Sequence, residues 1–237
     1  MQSTVFSSIL DFSSRKLFAD EMYRLGGDAE GLLRARGIIP AQDWVRASRI
    51  GAHSTMPSKV IRLAHDHMAS EIAIDIELGA RAVGNTSFRN HIDIIRAAPD
   101  IERKHANPLR IPVPPIAGVP KWIEPDALFQ LDGRVFALEA DMNTESIEAV
   151  IKSKIRAYRE IVAARVIDEH LGIDNLTVLF VTTNQSRMQS MMKAVSEIAK
   201  NGRSKMFAFA CRPELSDFRR APAPIGRMYG EPWQRVG

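Results

Sequence analysis

Apolar positions recur at two different spacings along this chain, and these spacings predict alternating helices and strands. After Pro57, apolar or small side chains occur at 60, 64, 68, 72, 76 and 80. This is the spacing of one helix face, so we predict a helix over residues 58–82. Residues 91–95 alternate between polar and apolar side chains and predict a short strand. Six of the thirteen prolines follow within residues 97–121, and this density predicts an extended loop.

A hairpin gives the clearest pattern in the sequence. Two β-rich runs, residues 122–131 and 134–141, flank the dipeptide Asp132-Gly133. Asp-Gly favours a type I′ turn, because both central positions of that turn need positive φ. Side chains two apart in a strand point to the same face, so Glu139 and Asp141 are predicted to share one face of the second strand.

The remaining sequence predicts two more helices and two more strands. An apolar stripe at helical spacing predicts a long helix over residues 145–169, with Thr144 or Asn143 as its N-cap. A buried strand, a helix and a last strand are predicted over residues 177–182, 186–200 and 205–211. Strands that alternate with helices after a hairpin indicate an α/β domain with a mixed sheet flanked by helices.

Changes in composition divide the 237 residues into three parts. Glycines and prolines break residues 1–56 into short pieces and predict an irregular N-terminal extension. Residues 57–211 hold the predicted α/β domain. Residues 212–237 contain four prolines and five arginines and predict a loosely ordered tail.

Composition narrows the possible environments and partners. Hydrophobic residues make up 45% of the chain, and the longest apolar runs are too short to cross a membrane. The single cysteine, Cys211, excludes an internal disulfide and a multi-cysteine zinc site. The first twelve residues lack a basic segment, so we expect no signal peptide and a cytoplasmic location. The net charge of +4 favours a polyanionic partner such as DNA.

Three carboxylates are expected to meet at one end of the hairpin. With a turn at 132–133, Asp126 lies opposite Glu139, and Asp141 follows on the same face. Opposed carboxylates repel each other, and a divalent cation removes that repulsion. Because Mg²⁺ prefers oxygen ligands, we predict a Mg²⁺ or Mn²⁺ site with Asp126, Glu139 and Asp141 as ligands. Alternatively, Asp126 only shapes a turn, and Glu139 and Asp141 form the solvated face of an edge strand.

These residues also resemble two related groups of proteins. Pro125-Asp126 and Glu139-x-Asp141 lie on a hairpin between two helices, and this arrangement resembles the PD-(D/E)xK nuclease fold. A resemblance to the replication-relaxation family adds further positions: Ala127, Leu138, Thr144-Glu145, Lys154, Tyr158 and the segment Leu63-Ala64-His65. That family is associated with plasmid and mobile-element replication and with DNA relaxation. The resemblance implies a restriction-endonuclease-like sheet, DNA as ligand or substrate, and replication or relaxase proteins as partners.

Two features depart from the usual family pattern. In this family, the nuclease-like domain usually follows a winged helix-turn-helix module. The segment Tyr23-Arg24-Leu25 resembles the closing part of that module. Residues 1–56 are too few for a complete winged module, so we expect a remnant without its recognition helix. Asp141 stands where the nuclease motif has a lysine that positions the attacking water, so cleavage requires a lysine from elsewhere.

Lys154 is the predicted replacement, because it lies beside the apolar stripe of the 145–169 helix, where related nucleases can carry this lysine. The alternative is a lysine whose stem follows the helix while its ammonium reaches solvent. Glu71, on the 58–82 helix, lies where such enzymes can have a further metal ligand; the alternative is an ordinary exposed glutamate. We expect four residues to contact nucleic acid: Tyr158, Arg219, Arg220 and Arg227. The alternative for the three arginines is that they belong to a solvated tail.

The sequence therefore favours a Mg²⁺-dependent endodeoxyribonuclease whose catalytic residues are Asp126, Glu139, Asp141 and Lys154. Two alternative hypotheses keep the fold but lack the cleavage activity. One is a DNA-binding accessory of replication or mobilisation, and the other is a protein-interaction module in a replication or relaxase complex. Divalent-metal binding separates the first hypothesis from the others, and salt-sensitive DNA affinity separates the second from the third.

Overall fold

The computed structural model describes residues 10–11, 24–25, 56–99, 109–217 and 220–237, with side chains from residue 64 onward. The chain forms two compact units, Met1–Ala52 and His53–Gly237. In the first unit, strands β1 (Leu10–Asp11) and β2 (Arg24–Leu25) pair antiparallel. Most of the irregular extension predicted over residues 1–56 lies outside the described residues.

The second unit alternates helices and strands. Its helices are α1 (Met56–Ala82), α2 (His91–Ala97), α3 (Lys152–Ala163), α4 (Val166–Leu171), α5 (Gln185–Ile198) and α6 (Arg227–Gly230). Its strands are β3 (Ile111–Pro112), β4 (Trp122–Ile123), β5 (Ala127–Leu131), β6 (Arg134–Asp141), β7 (Thr177–Thr182), β8 (Ser204–Cys211) and β9 (Gln234–Val236). A π-helical turn, Ile147–Ile151, leads into α3. The described helices are all too short or too polar to span a lipid bilayer.

Five strands form one mixed sheet in the order β5-β6-β7-β8-β9. The outer pairs β5–β6 and β8–β9 are antiparallel, and β6, β7 and β8 run parallel. Parallel neighbours need a crossover connection, which α3 and α4 supply between β6 and β7, and α5 supplies between β7 and β8. The prediction of a mixed α/β sheet flanked by helices is confirmed.

The hairpin of β5 and β6 forms with the predicted register. Asp132 and Gly133 both have positive φ, 49° and 74°, as a type I′ turn requires. Ala127 pairs with Leu138, and the ladder continues to the turn. The predicted first strand over 122–131 is in fact two strands, because the chain leaves the sheet around Pro125 and β4 pairs with β3 instead.

The two faces of the sheet pack against different helices. Alternate residues of β6, such as Ala137, face α3 and α5 in the larger core with Ile155 and Met191. The intervening residues, such as Leu138, face α1, whose Ile72 lies in a second core. Apolar side chains make up most of both cores, so their burial is the main stabilising contribution.

Two predicted elements differ in the structure. Residues 91–95, predicted as a strand, belong to helix α2, because the Asn90 side chain accepts hydrogen bonds from the backbone N–H groups of Ile92 and Asp93 and caps a helix. The long helix predicted over 145–169 is interrupted at Arg165, which has φ 58°. Its N-cap is Ser146, whose side chain accepts a hydrogen bond from Ala149 N–H, so the prediction of Thr144 or Asn143 is wrong.

The C-terminal segment is integrated into the fold rather than loosely ordered. Strand β9 adds the fifth strand by pairing with β8. The buried carboxylate of Asp75 on α1 accepts backbone hydrogen bonds from Ile225, Gly226 and Met228 at 2.7–2.8 Å. Gly79 lies directly against this segment, since a Cβ there would come within 2.5 Å of the Gly226 carbonyl oxygen. The sequence did not indicate this anchor, because the partners are about 150 residues apart.

Replacing Asp75 with alanine removes the acceptor for three backbone N–H groups, of which that of Met228 is buried. We expect the free energy of unfolding to fall by at least about 3 kcal/mol, since each hydrogen bond to a charged group contributes about 1.5–3 kcal/mol and the part-buried N–H groups regain bonds to water. Amide hydrogen exchange at residues 225–228 is expected to accelerate. Glu77→Ala is the matched control, because Glu77 pairs only with Arg81 on the same helix among the described residues. Equal exchange in both variants would contradict the anchoring role.

Candidate active site

The predicted acidic residues lie at one end of the sheet, around the carboxyl terminus of β6. Glu139 and Asp141 share the face of Val135 and Ala137, as their spacing predicts, and each is only 2% exposed. A buried carboxylate is stable only with compensating hydrogen bonds or charges. The partners of each carboxylate therefore decide what this site can do.

Two side chains from α3 contact the Glu139 carboxylate. The Tyr158 hydroxyl donates to Oε1 at 2.5 Å, and the Lys154 Nζ lies 2.8 Å from Oε2. Lys154 also donates to Glu145 Oε1 at 3.1 Å. Burial raises the pKa of Glu139, the Lys154 ammonium opposes that rise, and the Asp126 carboxylate adds to it. Burial also lowers the pKa of Lys154, but the carboxylates of Glu139, Glu145 and Asp126 raise it more, so Lys154 carries a positive charge.

The π-helical turn before α3 directs these two side chains to the sheet. Ile151 N–H donates to Ser146 O, five residues earlier, and this bond widens the first turn. Lys154 and Tyr158 follow with a spacing of four, so they lie on one helix face. π-Helical turns are rare and frequently occur at functional sites, and this one immediately precedes the predicted lysine.

Asp126 lies just before β5, and both its backbone and its side chain continue the hydrogen bonding between β5 and β6. Its backbone N–H donates to Leu138 O at 2.9 Å, and its Oδ2 accepts from Ala140 N–H at 2.7 Å. The His65 Nε2 lies 3.4 Å from the same Oδ2 and 3.0 Å from Ala140 O. Hydrogen bonding to Asp126, with a smaller contribution from Asp66, raises the pKa of His65 to about 10. His65, to which the sequence assigned no role, is therefore a cation beside the first predicted ligand.

Asp141 has a different environment, which the sequence did not predict. Arg187 on α5 donates from Nε to Oδ2 at 2.9 Å and from Nη2 to Oδ1 at 3.0 Å. The Thr182 hydroxyl and the Asn143 backbone N–H also donate to Oδ2, each at 3.2 Å. A bidentate arginine thus neutralises the Asp141 carboxylate. Topology could have indicated Arg187, since α5 begins where β7 ends beside β6.

Glu71, the predicted fourth metal ligand, lies on helix α1. This helix packs on the face of the sheet that carries Leu138, and its His65 contacts Asp126. Glu71 lies 3.6 Å from the His67 Nε2 on its own helix. Its role as a metal ligand stays a prediction.

The residues predicted for nucleic-acid contact are dispersed. Tyr158 is fully buried and supports Glu139 from inside the core, so it presents no surface to a nucleic acid. Arg220 is highly exposed, with its Nε 3.9 Å from Asp217. Arg227 begins α6 beside α1, and Arg219 lies outside the described residues. A DNA contact by the arginines stays a prediction.

The described side chains offer part of a metal site. Nowhere in the described ranges do three His, Cys, Asp or Glu side chains converge as a complete cation cage. Mg²⁺, however, often takes only one or two carboxylates and keeps water or phosphate as its other ligands. Asp126 and Glu139 supply that number of carboxylates, and the Lys154 ammonium lies 2.8 Å from the buried Glu139 Oε2, so a metal there would share this oxygen with Lys154. Asp141 fits less well, since both of its oxygens bind Arg187.

Comparison with known proteins identifies the family of the chain. No curated protein and no solved structure gives a significant match. The sequence profile of the replication-relaxation family matches residues 8–176, which include α1, the β5–β6 hairpin, α3 and α4. Because this match covers well over half of the chain, the protein belongs to the replication-relaxation family, and this membership suggests a role in plasmid or mobile-element replication or relaxation.

Proposed function

We propose that this protein is a nuclease-like member of its family that cleaves or nicks DNA phosphodiesters with the help of Mg²⁺ or Mn²⁺. The observation that carries the proposal is the convergence of Asp126, Glu139 and Lys154 at the end of one hairpin. The order of α1, an antiparallel hairpin, α3 and a parallel strand β7 supports a restriction-endonuclease-like domain.

Each of these residues has a chemical role in the proposed reaction. Asp126 and Glu139 would hold the divalent ion, which supplies an activated water and stabilises charge on the phosphate when bound. Lys154, protonated between Glu139 and Glu145, provides a donor for the water or for a phosphate oxygen. Tyr158 fixes the orientation of Glu139 through its 2.5 Å hydrogen bond.

A non-catalytic DNA-binding accessory is the second candidate function. The observation that favours it is the pair of Asp141 and Arg187, which replaces the motif lysine with a neutralised ion pair. Glu139 also has internal partners on both oxygens, Tyr158 and Lys154. In this role the acidic cluster stabilises the domain, and DNA affinity comes from basic residues elsewhere on the surface. A protein-interaction module in a replication or relaxase complex is the third reading, without DNA affinity of its own.

Metal titration and a nicking assay separate these functions. We expect Mg²⁺ and Mn²⁺ to bind in calorimetry and to support nicking of supercoiled DNA or cleavage of single-stranded DNA. Asp126→Asn and Glu139→Gln are expected to abolish metal binding and to lower the cleavage rate by at least about 100-fold. Glu148→Gln, an exposed acid in the π-helical turn, is the matched control and should retain both. Wild-type protein that binds no metal at millimolar concentration would contradict the nuclease and favour the accessory.

A further inference from the structure

A short β-ribbon beside the candidate active site carries an exposed tryptophan. β3 and β4 pair Ile111 with Ile123 and Pro112 with Trp122. Ile111 and Ile123 are buried in the larger core, whereas Trp122 is 50% exposed. One face of the ribbon therefore anchors it to the domain, and the other face presents a large aromatic side chain to solvent.

Two cations accompany this aromatic ring. The guanidinium carbon of Arg110 lies 4.8 Å from the centroid of the Trp122 ring, within the range of a cation–π contact. Lys121 is exposed next to Trp122 in sequence. One acid is near, since the Arg110 Nε lies 3.6 Å from Glu124 Oε2. The exposed part of the ribbon thus combines an accessible π surface with two cations and one acid.

The ribbon lies next to the residues proposed for cleavage. The Ser153 hydroxyl on α3 donates to Gly118 O in the ribbon loop at 3.1 Å, one residue before Lys154. Trp122 precedes Asp126 by four residues, which span at most about 14 Å. A strand held at Trp122 is therefore close enough to reach the site with a neighbouring phosphodiester.

This combination is typical of surfaces that bind single-stranded nucleic acid. Such surfaces hold the backbone with cations and stack unpaired bases on exposed aromatic side chains. A base pair inside a duplex has no free face for such stacking. A nucleic acid is favoured over a protein partner, because the two cations outnumber the one acid here and attract phosphates.

We propose that the β3–β4 ribbon is a stacking platform for single-stranded DNA, with Trp122 as the base contact and Arg110 and Lys121 as phosphate contacts. The choice of DNA as the strand rests on the proposed function. The platform itself rests on the exposure of Trp122, its contact with Arg110 and the distance to Asp126.

Fluorescence anisotropy with a short labelled oligo(dT), measured in EDTA, tests the platform without cleavage. Trp122→Ala is expected to weaken binding on the order of 10-fold at every salt concentration, because stacking releases no counterions. Trp122→Phe should restore most of the affinity. The matched control is Val83→Ala, since Val83 is an apolar residue with 64% exposure at the end of the α1 region. Lys121→Ala is expected instead to lower the slope of log affinity against log salt by about 0.7.

Three results would overturn the platform. Equal oligo(dT) affinity for Trp122→Ala and wild-type protein, or no binding by either, would leave the ribbon as a protein contact. The same loss of affinity on a DNA duplex would remove the preference for unpaired bases. Glu139→Gln distinguishes this proposal from the nuclease, because it should keep oligo(dT) binding while losing cleavage. If wild-type protein binds oligo(dT) through Trp122 but never cleaves DNA, the nuclease proposal is wrong and the platform proposal is supported.

Discussion

Lys154→Met is expected to lower the free energy of unfolding by about 3 kcal/mol at pH 8, because it leaves the Glu139 carboxylate buried without its cation. Glu139 is 2% exposed and lies 2.8 Å from the Lys154 Nζ. The remaining hydrogen bond from Tyr158 does not balance a full negative charge. Urea unfolding in EDTA, followed by circular dichroism, measures the loss.

The Lys154→Met variant should regain part of its lost stability as the pH falls. Lys154 opposes the rise in the pKa of Glu139 that burial causes, so without Lys154 that pKa rises further. The folded state then binds a proton that the unfolded state has released. Stability therefore increases as the pH falls from the folded pKa of Glu139 toward its unfolded value near 4.3.

Two further variants control this prediction. Lys152→Met removes a lysine two residues earlier that pairs with the exposed acids Glu148 and Glu197, and it should change stability little. The double variant Lys154→Met with Glu139→Gln should recover most of the loss, since it removes the uncompensated charge. If Lys154→Met unfolds like Lys152→Met at pH 8, the buried ion pair does not stabilise the domain.

Arg187→Met is expected to destabilise the protein to a similar extent, by about 3 kcal/mol, because Asp141 then loses a bidentate partner. Asp141 is 2% exposed, and Arg187 spans from the start of α5 to the end of β6. The hydroxyl of Thr182 and the N–H of Asn143 remain as donors at 3.2 Å. Urea unfolding of the purified variant measures this effect.

The matched control for Arg187 is Lys193→Met, which removes an exposed cation from the same helix. It should leave the free energy of unfolding nearly unchanged. Adding Asp141→Asn to Arg187→Met should restore stability, because no unpaired charge remains. Equal stability of the two single variants would show that Arg187 contributes no more than a surface cation.

The sequence was most informative where local chemistry alone decides the structure. The Asp132-Gly133 turn, the shared face of Glu139 and Asp141, and the helix that starts near Pro57 depend on residues close together in the chain. Each was predicted because backbone sterics and the strand period act over only a few residues. The errors arose where a competing local signal decided the outcome, as when Asn90 capped a helix in place of the predicted strand.

The same short-range rules predict part of the candidate active site. Spacing placed Asp126 opposite Glu139, and the apolar stripe placed Lys154 toward the sheet; the structure brings Lys154 to Glu139. The resemblance adds Glu71 on α1 as a fourth ligand, and this role stays a prediction. The metal, the DNA and the catalytic roles stay predictions for the experiments above.

By itself, then, the sequence determined the hairpin, the alternation of helices and strands, and the family. Only the tertiary structure decided which charges pair. Arg187 reaches Asp141 from 46 residues away, and Asp75 holds backbone groups 150 residues later. These partners follow from which elements the sheet order and helix packing bring together. Because burial makes an unpaired charge costly at any sequence separation, such pairs form wherever the fold places them, and local sequence patterns carry no trace of them.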